Sequence, residues 1–211
     1  MGRNTSLVIL ATGGYGKELA EAAIHAGRYQ NVDLLDDLAV AINGVSNRDG
    51  EVGSPWPHEA LQGMCGFVVA IRDNRERRNW FLTLASKSYA LISVQSKYAF
   101  VSDTAHIGAG SIVMHHAVVN PDACIGENVI VDERAIVEHD TIVGAHSHLA
   151  PGSVLAGGVS VGEMCLLGCG SIVCPSVKIA SDVVIRPGSV VTKNIDVAGS
   201  YAGAPAKRIG A

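Results

Sequence analysis

The sequence predicts a small α/β domain, a Rossmann-like half of a doubly wound fold, followed by an all-β parallel β-helix. Two observations lead to this fold class. From position 101 to position 197 an aliphatic residue occupies every sixth place, seventeen times in succession. Ahead of this series, short apolar segments alternate with amphipathic ones, and a glycine-rich turn follows the first of them. That alternation is typical of parallel α/β units.

The sixfold series has a second regular position, four residues after each aliphatic one, where the side chain is small or aliphatic. Examples are Ala105, Ser111, Ala117, Ala123, Ala135 and Ser147. A period of six with one bulky and one small inward residue predicts hexapeptides that each form one side of a triangular coil. Three hexapeptides then make one coil, and we expect about five coils with strands spaced about 4.8 Å apart.

The corners of the coil have their own signal, three residues after each aliphatic position. Gly, Asn or Asp stands at ten of the fifteen such sites between positions 110 and 194. These residues adopt positive φ at low cost. We therefore expect a left-handed backbone conformation at each corner.

The amino-terminal segment predicts the opening of a nucleotide-binding unit. Residues 7–13 read as a buried strand that leads into Gly13, Gly14, Tyr15 and Gly16, and residues 17–26 read as a helix. In such a turn, backbone amides and the helix N-terminus receive a phosphate. Asp36 and Asp37 follow the next predicted strand, where acidic side chains accept hydrogen bonds from a ribose or a base, or simply open a solvated loop.

The rest of the α/β domain is read from residues 67–94. We expect a strand over 67–71 that ends at Arg72, a helix over 74–86 whose residues 75–78 face solvent, and a strand over 90–94. The domain boundaries are then 1–95 for the Rossmann-like domain and 96–211 for the β-helix with its tail. Because about 95 residues form only one mononucleotide-sized half, a complete NAD site is not expected. We expect the α/β domain to cover one end of the β-helix and the tail after residue 200 to cover the other.

Composition excludes several classes of function. The formal net charge of −4 gives no basic surface for nucleic acid. No apolar span of 18 residues and no cleavable leader is visible, so we expect a cytoplasmic protein without membrane contact. The five cysteines are an odd number without zinc-site spacing, so neither a disulfide framework nor a metal is expected.

Histidines are the candidate catalytic groups, since five of the eight lie in or beside the middle of the repeat. His139 falls at an outward corner, in IVEHDTIVG, where it could act as a general base for an amine or hydroxyl that attacks a thioester. Asp140 could hold the imidazole in one tautomer. His148, facing outward on the next side of the coil, could reach an acyl carbonyl or a cofactor. Each of the three also fits a solvated residue on a turn or face.

Several segments together resemble one known family. They are ATGGYGKE at 11–18, LLDD at 34–37, VVAIRDN at 68–74, IVEHDTIVGAHSHLAPGSVLAGGVSVGE at 136–163 and GAPAKR at 203–208. Across essentially the whole chain the order of parts is similar to the bacterial nucleotide-sugar N-acetyltransferases and the related sialic acid O-acetyltransferase-like sugar acyltransferases. The resemblance implies a left-handed β-helix and a homotrimer with active sites between subunits.

The resemblance also implies roles for individual residues. His139 matches the family's catalytic base, and Asp140 matches the acidic residue that raises its basicity. His148 matches a contact to the co-substrate acetyl-CoA, and Cys169 and Pro187 match positions that line the pantetheine groove. The sugar nucleotide would be held at the positions of Gly13, Gly14, Tyr15, Asp36 and Asp37.

The chain departs from the family pattern at three places near the acceptor. Arg72 stands where glycine is common, Asp132 stands where an asparagine touches the reacting group of the sugar, and Val94 and Gln95 replace a His-Pro pair. We include Arg72 and Asp132 among the substrate-binding candidates. These departures leave the nucleotide, UDP, dTDP or GDP, and the sugar open.

The sequence therefore predicts N-acetylation of a nucleotide-linked 4-amino-4,6-dideoxy sugar by direct attack on acetyl-CoA. The main alternative is O-acetylation of a sialic acid or another sugar. A metal-dependent hydratase built on the same β-helix is a further alternative, because His146 and His148 lie close in sequence, and it would need three histidines around a zinc. The last alternative is a β-helix that serves as a binding scaffold without catalysis.

Overall fold

The described part of the amino-terminal domain is a four-stranded parallel sheet with two helices packed on it. The computed structural model describes residues 6–11, 13–35 and 65–210; Asp36 and Asp37 lie outside these ranges. The strands are ordered β2-β1-β3-β4. Their bounds are Ser6–Ala11 (β1), Asn31–Leu35 (β2), Cys65–Ala70 (β3) and Ala90–Leu91 (β4), and those of the helices are Gly14–Ala26 (α1) and Asn74–Ser86 (α2).

Both helices begin and end where their sequences favour it. Helix α1 begins directly after Gly13, at φ 84°, and ends at Gly27 in the left-handed conformation. Helix α2 is capped by Asp73, whose Oδ1 accepts a hydrogen bond from the backbone N–H of Glu76 at 2.8 Å. None of the helices in the described segments combines the length and the apolar character needed to cross a lipid bilayer.

The carboxy-terminal domain is a three-sided parallel β-helix, and we number its faces by the first strand that each contains. Face 1 holds β5 (Val94–Gln95), β8 (Ile112–Val113), β11 (Ile130–Val131), β14 (His148–Leu149), β17 (Leu166–Leu167) and β20 (Val183–Ile185). Face 2 holds β6 (Phe100–Val101), β9 (Val118–Val119), β12 (Ile136–Val137), β15 (Val154–Leu155), β18 (Ile172–Val173) and β21 (Val190–Val191). Face 3 holds β7 (His106–Ile107), β10 (Cys124–Ile125), β13 (Ile142–Val143), β16 (Ser160–Val161) and β19 (Lys178–Ile179).

Each strand pairs with the strand 18 residues away, as Ile130 does with His148. In the two-residue strands from β8 to β21 the second residue points inward, and these aliphatic side chains form one buried column from Val113 to Val191, to which Val183 and Ile185 of β20 also belong. The corner prediction is confirmed at fourteen of its fifteen sites, where φ is positive even for His116, Arg134 and Met164. The predicted sixfold series of inward aliphatic residues extends one position too far, because its last member, Val197, is 54% exposed.

In the two-residue strands the first residue points outward, and the three faces differ there. On face 1, Val94, Ile112 and Ile130 are buried against the core of the α/β domain. On face 2 the outward residues are all apolar, namely Phe100, Val118, Ile136, Val154, Ile172 and Val190. On face 3 they are mixed, namely His106, Cys124, Ile142, Ser160 and Lys178. The α/β domain therefore lies against a face of the prism, not over its end as the sequence predicted.

The tail covers the carboxy-terminal end of the β-helix. Strand β22 (Gly199–Ala202) continues face 1 beside β20, and β23 (Lys207–Ile209) turns back antiparallel to it. Tyr201 and Ala206 pack on the inner column. The unpaired edge of β20 is thereby satisfied, as the sequence predicted.

Candidate active site

His139 and Asp140 form a hydrogen-bonded pair on the corner between faces 2 and 3, which we call edge 2-3. The turn after β12 places them there, and Asp140 takes the corner conformation at φ 58°. The His139 Nδ1 and Asp140 Oδ2 atoms are 2.7 Å apart. Their side chains are 63% and 66% exposed, so a ligand can reach them from solvent.

The His139 ring lies directly over Gly157, which stands one coil further along the same edge. A Cβ atom at residue 157 would lie only 2.7 Å from His139 Nε2. The hydrogen bond that His139 Nδ1–H donates to Asp140 is the main cause that raises the pKa of His139 above its usual value. Because Nδ1 is engaged by the carboxylate, Nε2 is the nitrogen left to accept a proton from a reacting group.

A second histidine–aspartate pair is buried where face 1 meets the α/β domain. His148 Nε2 lies 3.2 Å from Asp132 Oδ2, and both side chains are almost fully buried. Arg72, at the carboxyl end of β3, lies 3.9 Å from the same carboxylate oxygen. His148 does face outward from the β-helix, but the α/β domain covers it, so it is not a solvated residue.

The charges of this cluster are set by burial and by one another. Burial alone would raise the pKa of Asp132, but the hydrogen bonds from His148 and from Glu133, with the charge of Arg72, hold it below its usual value. Burial is the main cause that lowers the pKa of His148, and Arg77 and Arg72 act in the same direction. The pair is therefore an ionised carboxylate beside a neutral imidazole.

Tyr15 carries a buried hydroxyl at the start of α1. No described residue forms a hydrogen bond with this hydroxyl. The guanidinium carbon of Arg72 lies 4.6 Å from the centre of the Tyr15 ring. Burial, together with the charges of Asp132 and Glu133, raises the pKa of Tyr15 well above its usual value, so the hydroxyl remains a donor. Gly13 and Gly14 precede it in the turn that leads into α1.

Sequence reasoning missed Glu133. Burial is the main cause that raises its pKa to about 7, and the neighbouring Asp132 adds to this. Glu133 stands on the corner between faces 1 and 2, edge 1-2, in a cleft of about 500 Å³ that His115, His116 and Pro151 also line. The only local signal was two consecutive acidic residues at a corner, which a solvated turn explains equally well.

Cys169 and Pro187 stand further along edge 1-2, one coil apart. The backbone N–H of Gly188 donates to the Cys169 carbonyl oxygen at 2.9 Å, which stacks the two corners. Both residues are exposed. They continue the row begun by Glu133 and Pro151, so these corners form one outward ridge.

Arg77 was expected to face solvent on α2, and this expectation is wrong, because the residue is 0% exposed. Its guanidinium donates to the carbonyl oxygens of Ile71 and Arg72, in the α/β domain, and to those of Asn128, His146 and Ser147, in the β-helix. Burial lowers its pKa to about 10, so it remains a cation. Arg77 therefore fastens the two domains to each other around the cluster.

His146, a residue of the metal-site alternative, bonds elsewhere. Its Nδ1 lies 2.9 Å from the side-chain nitrogen of Asn128. Within residues 6–11, 13–35 and 65–210, no three His, Cys, Asp or Glu side chains form a group that could hold a metal ion.

The candidate residues thus fall into separate groups on one chain. His139 and Asp140 lie on edge 2-3, while Tyr15, Arg72, Asp132 and His148 gather at face 1. Cys169 and Pro187 lie on edge 1-2, next to face 1. A single chain does not bring the candidate base to the candidate acceptor pocket.

The fold defines a class, the hexapeptide-repeat transferases with an amino-terminal α/β domain. Two family models match the chain: the PglD N-terminal domain over residues 6–84, and the bacterial transferase hexapeptide (six repeats) over residues 125–157 and 158–193. No curated protein sequence shows a significant match to the chain.

Solved structures are similar over nearly the full length. The acetyltransferase domain of PglB from Neisseria gonorrhoeae FA1090, in complex with acetyl coenzyme A, is 32% identical at a TM-score of 0.87, covering 98% of this chain and 100% of that one. PerB from Caulobacter crescentus, in complex with CoA and GDP-perosamine, is 32% identical at 0.83, covering 97% of both chains. WeeI from Acinetobacter baumannii AYE is 19% identical at 0.77, covering 97% of this chain and 100% of that one, which supports the fold alone.

The chain belongs to the family of nucleotide-sugar N-acetyltransferases within the hexapeptide-repeat transferases, and it is an enzyme of the acetyltransferase class. The predicted family is thereby confirmed, as is the fold class of a Rossmann-like half domain followed by a left-handed β-helix. The division at residue 95 stays a prediction, and so do the roles of the individual site residues.

Proposed function

We propose that this enzyme transfers the acetyl group of acetyl-CoA to the amine of a nucleotide-linked 4-amino-4,6-dideoxy sugar, with His139 as general base. The observation that carries the proposal is the exposed His139–Asp140 pair, which leaves Nε2 open to a ligand. Solved structures of two relatives at 32% identity are complexes with acetyl coenzyme A and with CoA and GDP-perosamine, respectively. Sugar nucleotide and thioester are therefore ligands that this fold accommodates.

The chemistry is a direct acyl transfer. The sugar amine attacks the thioester carbonyl carbon, a C–N bond forms, and Nε2 of His139 takes a proton from the nitrogen. The C–S bond then breaks, and the proton passes from the imidazolium to the leaving sulfur, so coenzyme A departs as a thiol. Asp140 favours the imidazolium that forms in between. No covalent enzyme intermediate is required.

A homotrimer would complete the site. Face 2 presents an unbroken apolar column to solvent in the single chain, whereas the outward residues of face 3 are mixed in character. If three copies turn face 2 toward a common threefold axis, edge 2-3 of each copy meets edge 1-2 of the next. This arrangement brings His139 of one subunit to the face 1 cluster of its neighbour.

Within this assembly each group of residues has a role. The turn at Gly13 and Gly14 and the side chains of Tyr15, Arg72 and Asp132 would form the acceptor pocket, because they lie at the carboxyl ends of β1 and β3 or beside them. Asp36 and Asp37 stay candidates for the nucleotide on sequence grounds. The ridge of Cys169 and Pro187 on edge 1-2 would face the pantetheine arm of coenzyme A.

The test is continuous thiol release from acetyl-CoA, with UDP-, dTDP- and GDP-linked 4-amino sugars offered separately to the purified protein. We expect release with one nucleotide well above the other two, and an N-acetylated product by mass spectrometry. If none of the three amino sugars causes thiol release from acetyl-CoA but a free sialic acid does, the proposal is replaced by O-acetylation.

A further inference from the structure

Asp132 is one of the substrate-binding candidates, but its surroundings differ from those of a ligand contact. The carboxylate is completely buried. Its Oδ1 accepts the backbone N–H of Glu133 at 3.2 Å, and its Oδ2 lies 3.2 Å from His148 Nε2 and 3.9 Å from Arg72. Both oxygens are therefore in use within the protein, so Asp132 acts on a ligand through its neighbours.

His148 has one nitrogen engaged and one free. A carboxylate is only an acceptor, so the close contact with Asp132 requires the proton on Nε2. The neutral imidazole holds a single N–H, which leaves Nδ1 with a lone pair. No described residue forms a hydrogen bond with Nδ1.

His148 borders a cleft on face 1. This cleft, about 520 Å³ in volume, is lined by Arg72, Asp73 and Asn74 from the end of β3, and by His148, Leu166 and Val184 from face 1. The cleft is thus shared between the α/β domain and the β-helix. A ligand held by the loop after β3 would meet His148.

We infer that Asp132 is a positioning residue that holds His148 as the Nε2–H tautomer, so that Nδ1 accepts a hydrogen bond from an O–H or N–H group of the acceptor sugar. The inference rests on the proposed function, since it takes the acceptor to be a nucleotide-linked sugar. A thioester carbonyl oxygen offers no hydrogen, so Nδ1 does not bind it. Residue 132 thereby determines that His148 presents a hydrogen-bond acceptor, and not a donor, to the ligand.

An amide N–H in the pantetheine arm of coenzyme A could also donate a hydrogen bond to Nδ1 of His148. The acceptor is favoured because the cleft opens between His148 and Arg72, at the carboxyl end of β3, whereas Cys169 and Pro187 lie on edge 1-2. The kinetic measurements below separate the two sources.

The tautomer is tested first, without any substrate, by 15N magic-angle-spinning NMR of the histidine-labelled wild-type protein at neutral pH. The signals of His148 are those that His148→Asn removes. We expect a protonated Nε2 and an unprotonated Nδ1. An Nδ1–H tautomer or a doubly protonated ring would overturn the inference, whether or not the protein proves to be an acetyltransferase.

Asp132→Asn tests whether residue 132 sets this state. The amide oxygen keeps the bond from the Glu133 N–H, so the amide nitrogen faces His148 and donates to Nε2. We expect the proton to move to Nδ1, with an acceptor KM about tenfold higher. An unchanged 15N pattern with an unchanged acceptor KM would reduce Asp132 to a structural residue.

The source of the donor is tested with the amino sugar nucleotide that is most active in thiol release. His148→Ala removes the acceptor atom and should raise the KM for the sugar about tenfold, with the KM for acetyl-CoA within about twofold. His148→Asn retains an acceptor oxygen near the Nδ1 position and should recover part of the loss. His106→Ala, on face 3, is the matched control and should change neither constant. A rise confined to the KM for acetyl-CoA would assign the donor to coenzyme A.

Discussion

Asp140 sets the proton affinity of His139 through one short hydrogen bond. Because the neutral imidazole is the base, the rate falls as pH decreases through the pKa of His139, which Asp140 raises. Asp140→Asn removes that effect, so the acid limb of the kcat/KM profile should move to lower pH. The plateau should fall about tenfold, because the variant stabilises the imidazolium less.

The measurement is thiol release across a pH range at subsaturating acceptor. An acid limb that moves to higher pH in Asp140→Asn, or that does not move, would show that Asp140 does not act on the base. The corner itself should survive the substitution, because asparagine also tolerates the positive φ of residue 140.

The absence of a side chain at Gly157 leaves room for the imidazole ring of His139. An added methyl group would lie 2.7 Å from Nε2 and 2.8 Å from Cε1, so Gly157→Ala should turn the ring away from its present position. We expect kcat to fall about tenfold or more, because a misplaced base transfers protons poorly. Gly27→Ala is the control: its Cβ would meet no atom within 4 Å, but its φ of 65° makes alanine strained.

The control should lose a little stability and keep kcat, which separates local strain from an effect on the base. If Gly157→Ala keeps the wild-type kcat while its thermal midpoint falls, the ring does not depend on residue 157.

The buried guanidinium of Arg77 makes most of the hydrogen bonds that join helix α2 to the β-helix, and Asn74 adds one to the carbonyl oxygen of Cys165. Arg77→Met leaves carbonyl groups of both domains without a donor, so the free energy of unfolding in urea should fall by about 3 kcal/mol or more. Arg78→Met, the exposed neighbour on the same helix, should change it by less than about 0.5 kcal/mol. Equal losses in the two variants would contradict this role of Arg77.

The regular elements could be predicted because their signals are local. One hexapeptide contains the aliphatic residue, the small residue and the corner residue that together determine its path. Arg77 was misjudged because its partners, Asn128, His146 and Ser147, lie more than 50 residues away, and no local pattern contains them. The same holds for His148, which reads as an outward residue until the α/β domain covers face 1.

The candidate site residues show the same contrast between local signals and partners that are distant in sequence. His139 and Asp140 are adjacent in sequence, so their pairing could be predicted. The cluster of Tyr15, Arg72 and Asp132 combines three distant segments, and the sequence indicated Arg72 and Asp132 only through the family resemblance. Glu133 was missed altogether, because its raised pKa comes from burial and from the neighbouring carboxylate.

At the scale of the whole molecule, face 2 is the predicted trimer interface. Ile172 on face 2 and Ile142 on face 3 are both outward isoleucines, 42% and 53% exposed in the single chain. Ile172→Lys would place three charges near the threefold axis, where losing water costs several kcal/mol per ion. We expect it to dissociate the trimer and to abolish thiol release, whereas Ile142→Lys should do neither.

Analytical ultracentrifugation at the assay concentration measures the assembly directly. A monomeric wild-type protein with full activity would contradict the shared site, as would an Ile172→Lys variant that remains trimeric and active.

The most direct test of the account is the kcat of thiol release by His139→Ala, measured with acetyl-CoA and the best nucleotide-linked amino sugar. We predict a fall of at least about a hundredfold, with the affinity for coenzyme A nearly unchanged. His106→Ala, the exposed histidine of face 3, should keep wild-type kcat. Near-wild-type turnover in His139→Ala would contradict the account, because the proposed chemistry depends on the Nε2 atom of that residue.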